Sequence, residues 1–265
     1  MWAKWRVAIL DIERFKGQIV LPDISVEGQK KIGSSTVAVV GLGGTGSMAS
    51  ELFARMGVGK LILFDGDRVS LSNIHRQILY SENDVGKFKA EAAAEHLSKE
   101  TSVTKIISRN IRISDKNVGE LLSCDIVFDG TDNFPSRHVI DLFSIRSGIP
   151  WVMCSAVEYY GQAKAILPGI TSCLSCMHFP TRDERFSCSD AGIFPPLVTA
   201  ISSLAAGMAV SIMVGGKVSG DLFTLDMRTM ELVRIRVDRN PECTVCGTHG
   251  MGNTVGSEKQ YESGH

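Results

Sequence analysis

TVAVVGLGGTGS, at residues 36–47, joins an apolar, β-branched run to a glycine-rich segment. The run Thr36–Val40 predicts a strand that is buried on both faces of a parallel sheet. Gly41, Gly43 and Gly46 then match G-x-G-x-x-G, whose glycines allow a tight turn and a close approach of backbone to phosphate. The amides at the start of the following helix favour an anion. The stretch therefore predicts a nucleotide-binding strand–turn–helix unit.

Strand and helix patterns alternate after this unit, with strands predicted at 61–64, 105–111, 125–129 and 151–156, and helices at 47–56, 87–99 and 135–147. This alternation predicts an α/β fold with a Rossmann-like, doubly wound, mostly parallel sheet. Runs at 162–167, 222–226 and 232–237 predict a smaller antiparallel C-terminal part. The predicted organisation is a helical lead-in at 1–35, a nucleotide-binding part at 36–160, a smaller part with a crossover loop at 161–246, and a disordered tail at 247–265.

The composition is that of an ordinary globular protein. The 265 residues are 44% hydrophobic and 22% charged, with a formal net charge of -1, so we expect no direct binding of nucleic acid. Asp11 and Glu13 interrupt the apolar N-terminal run, so no signal peptide is predicted and we expect a cytoplasmic protein. Residues 197–216 carry no charge and are long enough to span a bilayer. Their recurrent Ser and Thr and the lack of a flanking basic cluster favour a buried helix, and we expect no membrane association.

Seven cysteines include two Cys-x-x-Cys pairs, Cys173/Cys176 and Cys243/Cys246, separated by 66 residues. One such pair could equally be a redox site, whereas two pairs supply the ligands of a four-cysteine structural zinc site. We therefore predict a zinc clamp that holds the C-terminal segment onto the smaller part. Cys124 and Cys154 lie in or beside apolar runs and are predicted core residues.

Asp65 ends the second strand, 24 residues after Gly41, where a carboxylate is expected to meet a ribose hydroxyl. Such a pattern by itself indicates a nucleotide, with NAD as the default. Three further motifs argue against NAD: SNIHRQ at 72–77, VGKFK at 85–89 and DGTDN at 129–133. Their cations would neutralise a triphosphate, and a carboxylate would hold magnesium; hydride transfer needs neither. The plainer alternatives are surface charges for Arg76 and Lys89, and a helix N-cap for Asp132-Asn133.

The combined motifs identify a resemblance that runs from about Arg14 to Cys246. They comprise QIVLPDISVEGQKKI at 18–32, GLGGTGS at 41–47, FDGDRVSLSNIHRQ at 64–77, VGKFKAE at 85–91, DGTDN at 129–133 and the cysteine pairs. The set resembles the ThiF/MoeB/HesA family, which is related to the adenylation domain of ubiquitin-activating enzymes.

The resemblance implies ATP-dependent adenylation of the C-terminal glycine of a ubiquitin-like sulfur-carrier protein ending in Gly-Gly, with release of pyrophosphate. Molybdopterin, thiamine and thiolated-tRNA synthesis are the implied pathways, and a homodimer is the implied assembly. No sulfurtransferase domain follows the cysteine pairs, so a separate sulfur donor is expected. Asp132 is implied to bind magnesium, and Arg76, Asp132 and Cys188 to serve catalysis. The residues implied to bind ATP are Gly41, Gly43, Gly44, Gly46, Asp65, Asn73, Arg76, Gln77, Lys89 and Asp132.

Two positions leave alternatives open. In some relatives the cysteine that matches Cys188 forms a thioester or persulfide with the partner, and the plainer alternative is a loop cysteine without chemistry. Arg14 matches the first arginine of a segment that family members often carry, and Gly17 stands where its second arginine reaches the ATP of the neighbouring subunit; Lys16 is the charge that would compensate. The competing functions are adenylation of another carboxylate or of a tRNA base, NAD-dependent oxidoreduction, and a non-catalytic scaffold for a ubiquitin-like protein.

Overall fold

The computed structural model describes residues 13–177 and 192–247. Residues 13–19 are helical, and a second helix follows the break near Pro22. The helices are α1 (Ser25–Ser34), α2 (Gly44–Arg55), α3 (Lys89–Glu100), α4 (Phe134–Ser147) and α5 (Pro195–Val214). The strands are β1 (Thr36–Val40), β2 (Lys60–Phe64), β3 (Lys105–Arg109), β4 (Ile126–Asp129), β5 (Trp151–Val157), β6 (Tyr160–Ile166), β7 (Leu222–Asp226) and β8 (Glu231–Ile235). Short 3₁₀ turns lie at Leu71–Asn73, Glu82–Asp84, Val118–Ser123 and Leu174–Met177.

The strands form one eight-stranded mixed sheet in the order β3-β2-β1-β4-β5-β6-β7-β8. The pairs from β3 to β5 are parallel, and those from β5 to β8 are antiparallel, which confirms the predicted mixed α/β class. The antiparallel strands extend the same sheet, since β5 and β6 pair from Trp151↔Ile166 to Val157↔Tyr160. The predicted division at residue 160 stays a prediction.

The predicted helices and strands are present, with ends that differ by at most three residues, and two strands, 36–40 and 222–226, match in full. The helix predicted at 47–56 begins at Gly44, because the amide of Ser47 already donates to the carbonyl of Gly43 at 3.0 Å. The helix predicted at 87–99 begins at Lys89, since Lys87 still belongs to a turn in which its amide donates to Asp84. These differences come from turn geometry, which apolar periodicity does not encode.

Helix α5 is long and apolar enough to span a bilayer by length and composition. In the fold it packs against α1, α2, β5 and β6, and 56% of its most apolar 18-residue stretch is buried. Ile201, Ala205 and Ala209 on its inner side are fully buried. This arrangement agrees with the predicted buried helix.

Three backbone segments meet at the carboxyl end of β1. Gly41 has a φ of +83°, the left-handed conformation that glycine tolerates best. A Cβ on Gly46 would lie 1.8 Å from the Gly41 carbonyl oxygen, and one on Gly130 would lie 2.8 Å from the Gly46 nitrogen. The absence of side chains at these positions therefore sets how closely α2 and the loop after β4 approach β1.

We expect Gly46→Ala to lower the free energy of unfolding by roughly 3 kcal/mol or more, because its methyl group meets rigid backbone. Chemical denaturation monitored by circular dichroism measures the change. Gly119→Ala is the matched control, since a Cβ there would contact nothing within 4 Å. Equal stability of the two variants would contradict this account of the turn.

Candidate nucleotide site and cysteine cluster

A cavity of about 790 Å³ opens at the carboxyl ends of the central strands. It gathers most of the predicted nucleotide-binding residues from separate loops, and Gly46 is the exception. Gly46 instead packs against the Gly41 carbonyl and serves the close approach of α2 to β1. The predicted residues that line the cavity are Gly41, Gly43, Gly44, Asp65, Asn73, Arg76, Gln77, Lys89 and Asp132.

Asp65 connects the second strand to the glycine loop. Its carboxylate accepts hydrogen bonds from the Leu42 and Asp67 amides, each at 2.7 Å. Burial raises the pKa of Asp65, while the positive charge of Lys89 and these two hydrogen bonds oppose the rise. The same carboxylate thus fixes the glycine loop and faces the cavity.

The motif at 72–77 folds as a 3₁₀ turn followed by further turns that present Asn73, Arg76 and Gln77 to the cavity. The guanidinium of Arg76 donates to the Ser72 carbonyl at 3.1 Å. Gln77 is buried, and its Oε1 has no hydrogen-bond partner among the described residues. A buried amide oxygen in a cavity wall needs a donor, so this wall is suited to a polar ligand.

Lys89 is 6% exposed, which rules out the alternative of a solvated surface charge. Its ammonium lies 3.5 Å from a carboxylate oxygen of Asp67. A buried ammonium with one distant carboxylate retains the capacity to bind a further anion. Lys89 is therefore well placed to meet a phosphate in the cavity.

The loop at 129–133 is shaped by a buried ion pair. Arg137 lies 3.2 Å from the Asp129 carboxylate and also donates to the Thr131 carbonyl. Asp129 accepts hydrogen bonds from the Thr131 amide at 2.9 Å and hydroxyl at 2.6 Å. Burial raises the pKa of Asp129, and the charge of Arg137 opposes that rise.

The N-cap alternative for this loop applies to Asn133, whose side chain accepts a hydrogen bond from the Ser136 amide at 2.9 Å. Asp132 does not cap α4; it is exposed at the cavity wall. The Asp132 carboxylate accepts a long hydrogen bond from the Asn133 side chain at 3.5 Å and stays accessible to a ligand or a metal ion.

Several cavity residues escaped the sequence analysis. Asp67 follows the ribose-binding position by two residues and could have been inferred from its place after the same strand. Arg112 and Arg137 reach the cavity from beyond β3 and from within α4, and no local spacing indicates them. The further lining residues include Thr131, Ser155 and Gln162.

The four predicted metal-ligating cysteines form one buried cluster, in which all the sulfur atoms lie within 4.8 Å of one another. The closest sulfur pairs are Cys173–Cys176 at 3.8 Å, Cys173–Cys243 at 3.7 Å and Cys176–Cys246 at 3.4 Å. A tetrahedral ion with bonds of about 2.3 Å to sulfur requires sulfur separations of about 3.8 Å. The cluster therefore fits a metal ion.

A buried lysine lies beside this cluster. The Lys164 ammonium, fully buried, donates to the Ser172 hydroxyl at 2.9 Å and to the Gly220 carbonyl. Burial lowers the pKa of Lys164, and the carboxylate of Asp221 opposes the decrease. Ser172 immediately precedes Cys173, so this cation stands next to the four sulfur atoms.

Two predicted positions have other outcomes. Cys188 lies outside the described residues. Gly17 is exposed in the helical segment 13–19, while Arg14 from that segment donates to the Glu100 carbonyl at 3.0 Å, at the end of α3. Cys124 and Cys154 are buried, as predicted, and burial raises their thiol pKa to about 11 and about 12.

We expect Arg137→Met to lower the free energy of unfolding by about 3–5 kcal/mol, because it leaves the Asp129 carboxylate buried without its cation. The measurement is urea denaturation at neutral pH. Arg109→Met is the control, because Arg109 is half exposed and lies 3.5 Å from Glu120, so its loss should cost less than about 1 kcal/mol. A similar small loss in both variants would disprove a structural role for the buried pair.

Comparison with known proteins agrees with this geometry. The ThiF family model matches residues 15–245. A sulfur carrier protein adenylyltransferase of Thermus thermophilus is 33% identical over 248 residues, spanning 89% of this chain and 91% of that protein. The molybdopterin-synthase adenylyltransferase of Escherichia coli K12 is 34% identical over 238 residues, spanning 88% of this chain and 96% of that protein. The crystal structure of E. coli MccB with ATP superposes with a TM-score of 0.77 at 25% identity, over 84% of this chain and 69% of that chain. The chain belongs to the ThiF family.

Proposed function

We propose that this protein is an ATP-dependent adenylyltransferase that activates the C-terminal glycine carboxylate of a ubiquitin-like sulfur-carrier protein. The observation that carries the proposal is one cavity in which a glycine loop, the cations of Arg76 and Lys89 and the exposed carboxylate of Asp132 converge. Relatives that share a third of their residues with this chain over nearly their whole length are named for such activities.

ATP would lie with its phosphates on the glycine loop and its ribose at Asp65. The start of α2 at Gly44 offers backbone amides and the positive end of the helix dipole. Lys89, Arg76 and the Asn73 and Gln77 amides would contact the phosphate oxygens. The buried Gln77 Oε1 has no donor among the described residues, and phosphate oxygens cannot supply one because they accept hydrogen bonds. In this arrangement the donor would be a ribose hydroxyl or an ordered water.

The reaction would be an in-line displacement at the α-phosphorus. A carboxylate oxygen of the carrier attacks, the bond to the bridging oxygen of the β-phosphate breaks, and pyrophosphate leaves with the bonding electrons. Fixed cations at Arg76 and Lys89 stabilise the charge that develops on the departing group. The products are an acyl adenylate and pyrophosphate, and the activated carbonyl is then open to attack by sulfur.

We assign the metal-binding role to the Asp132 carboxylate. When bound, magnesium would neutralise phosphate charge, and this ion usually takes one or two carboxylates from the protein. Asp132 is an exposed carboxylate on the cavity wall that no cation pairs with, whereas Asp67 pairs with Lys89 and Arg112 and Asp129 pairs with Arg137 within the described residues. The Asp132 carboxylate oxygens are ligands of the kind that magnesium prefers, and they are accessible from the cavity.

The carrier tail would enter along the carboxyl end of β5. The cavity continues past Asp132 to Ser155–Val157 and Gln162, where an extended glycine tail has polar groups to contact. Glycine residues suit such a passage because the tail must approach the protein backbone closely. The proposal also includes a separate protein as sulfur donor, a cytoplasmic location and a homodimer. Cys188 remains a candidate for a covalent link to the carrier.

The metal of the cysteine cluster is proposed to be zinc in a structural role. Four thiolates leave a tetrahedral ion without an open position for substrate. The cluster joins the turn at Leu174–Met177 to the segment after β8, so zinc would hold the C-terminal strands in place.

Asp132→Ala should reduce carrier-dependent ATP–pyrophosphate exchange by roughly a hundredfold or more, through loss of the metal-binding carboxylate. The assay uses magnesium and a ubiquitin-like protein ending in Gly-Gly. Asp115→Ala, at an exposed aspartate outside the cavity, is the control and should exchange at the wild-type rate. Exchange with a different carboxylate substrate but with no carrier would redirect the assignment to another adenylation reaction, and full activity of the Asp132 variant would remove Asp132 from the chemistry.

Purified protein should contain about one zinc ion per chain, and Cys243→Ser should reduce this to a small fraction because a four-thiolate site loses a ligand. Atomic emission measures the metal, and thermal unfolding should occur at a lower temperature in the variant. Cys124→Ser, at a buried cysteine outside the cluster, should keep its zinc. Zinc absent from wild-type protein refolded with the ion would refute the assignment.

A further inference from the structure

The cavity holds a guanidinium that the proposed phosphate contacts do not use. Arg112 follows β3 and lines the cavity, and its side chain is 79% exposed. Its backbone is held firmly: the Asn117 side chain donates to the Arg112 carbonyl at 2.9 Å, and the next residue, Ile113, is buried. Arg112 therefore presents a planar, solvent-exposed cation from a fixed backbone position.

Two contacts direct the Arg112 side chain. Its guanidinium pairs with the Asp67 carboxylate. Its stem lies across Gly66, where a Cβ would come within 2.8 Å of the Arg112 Cγ. The side chain thus crosses the backbone between Asp65 and Asp67 and ends beside Asp67.

This position lies on the far side of Asp65 from the glycine loop. In nucleotide-binding α/β folds the phosphates meet the glycine loop and the carboxylate after the second strand meets the ribose, so the base lies beyond that carboxylate. Val40, Phe64 and Ile113 line the cavity and belong to one packed apolar cluster. An apolar floor and a planar cation at its rim are complementary to the two faces of a nucleobase.

We propose that Arg112 is a base-stacking residue, whose guanidinium covers the adenine of ATP while Asp67 holds it in that plane. Arginine stacks on flat π-systems with its charge delocalised over the plane, which lysine cannot do. This role deepens the proposed adenylation function and rests on it for the identity of the nucleotide.

The test compares the binding of adenosine, AMP and ATP by calorimetry in wild-type, Arg112→Ala and Arg112→Lys proteins. Stacking on the base predicts that affinity for all three ligands falls by a similar factor of about ten in both variants, since lysine keeps the charge but not the plane. Arg109→Ala, which removes an arginine of β3 outside the cavity, should bind all three like wild type.

The proposal would be overturned if Arg112→Ala lost more affinity as the number of phosphates rose, bound adenosine normally, and regained affinity in Arg112→Lys. That result would make Arg112 a phosphate contact. Unchanged binding in both variants would also overturn it. Gly66→Ala provides a second route, since its methyl group displaces the Arg112 stem; it should weaken adenosine binding in wild type but add little to Arg112→Ala.

The outcome is separable from that of the proposed function. Suppose that the wild-type protein binds adenosine, that both Arg112 variants bind it about tenfold more weakly, and that no carrier-dependent pyrophosphate exchange occurs. This result would support the stacking role and reject the carrier reaction. Wild-type protein that binds none of the three ligands would refute both.

Discussion

The close contact of three glycines at the end of β1 is the constraint on which the rest of the site depends. Gly46, in the first turn of α2, can lie against the Gly41 carbonyl only because it has no side chain, and Gly130 meets the same backbone from the loop after β4. This contact aims the start of α2 at the cavity and brings residues 130–133 alongside the glycine loop. The distance between a phosphate on that loop and the Asp132 carboxylate is thus set by backbone packing, before any ligand is bound.

Electrostatic balance then determines which charged groups remain available. Asp129 is neutralised by Arg137 inside the protein, and that pair shapes the loop without facing solvent. Asp67 is shared between Lys89 and Arg112 at the cavity wall. Arg137 reaches the cavity but is paired with Asp129, which leaves three further cations, Arg76, Lys89 and Arg112. These face the three carboxylates of Asp65, Asp67 and Asp132, so a polyanion meets no excess of negative charge. A divalent ion on Asp132 would shift this balance further in favour of a triphosphate.

The sequence predicted those features that local pattern or strand order determines. The glycine motif and Asp65 are a local pattern, and Asn73, Lys89 and Asp132 converge because parallel strands place their carboxyl ends at one edge. The motif implies that Gly46 contacts ATP, whereas in the structure Gly46 does not line the cavity and lies against the Gly41 carbonyl, the packing role that the third glycine of such a motif has. Arg112 and Arg137 could not be predicted, because their long side chains take their direction from Gly66, Asp67 and Asp129, which are distant in sequence. The continuity of the antiparallel strands with the parallel sheet was equally hidden, since periodicity identifies strands but not their neighbours.

The cysteine cluster anchors the chain next to an edge strand that buries little surface. All five residues of β8 are exposed, so this edge strand gains little from apolar burial. After β8 the chain packs against the segment that contains Ser172. The Val237 carbonyl accepts a hydrogen bond from the Ser172 hydroxyl at 2.8 Å, and Arg239 donates to the carbonyls of Cys246 and Gly169. These contacts and the four sulfur atoms fasten both ends of the antiparallel extension. Because the same extension forms the Gln162 side of the cavity, metal binding at the cluster would maintain the wall along which the proposed carrier tail would pass.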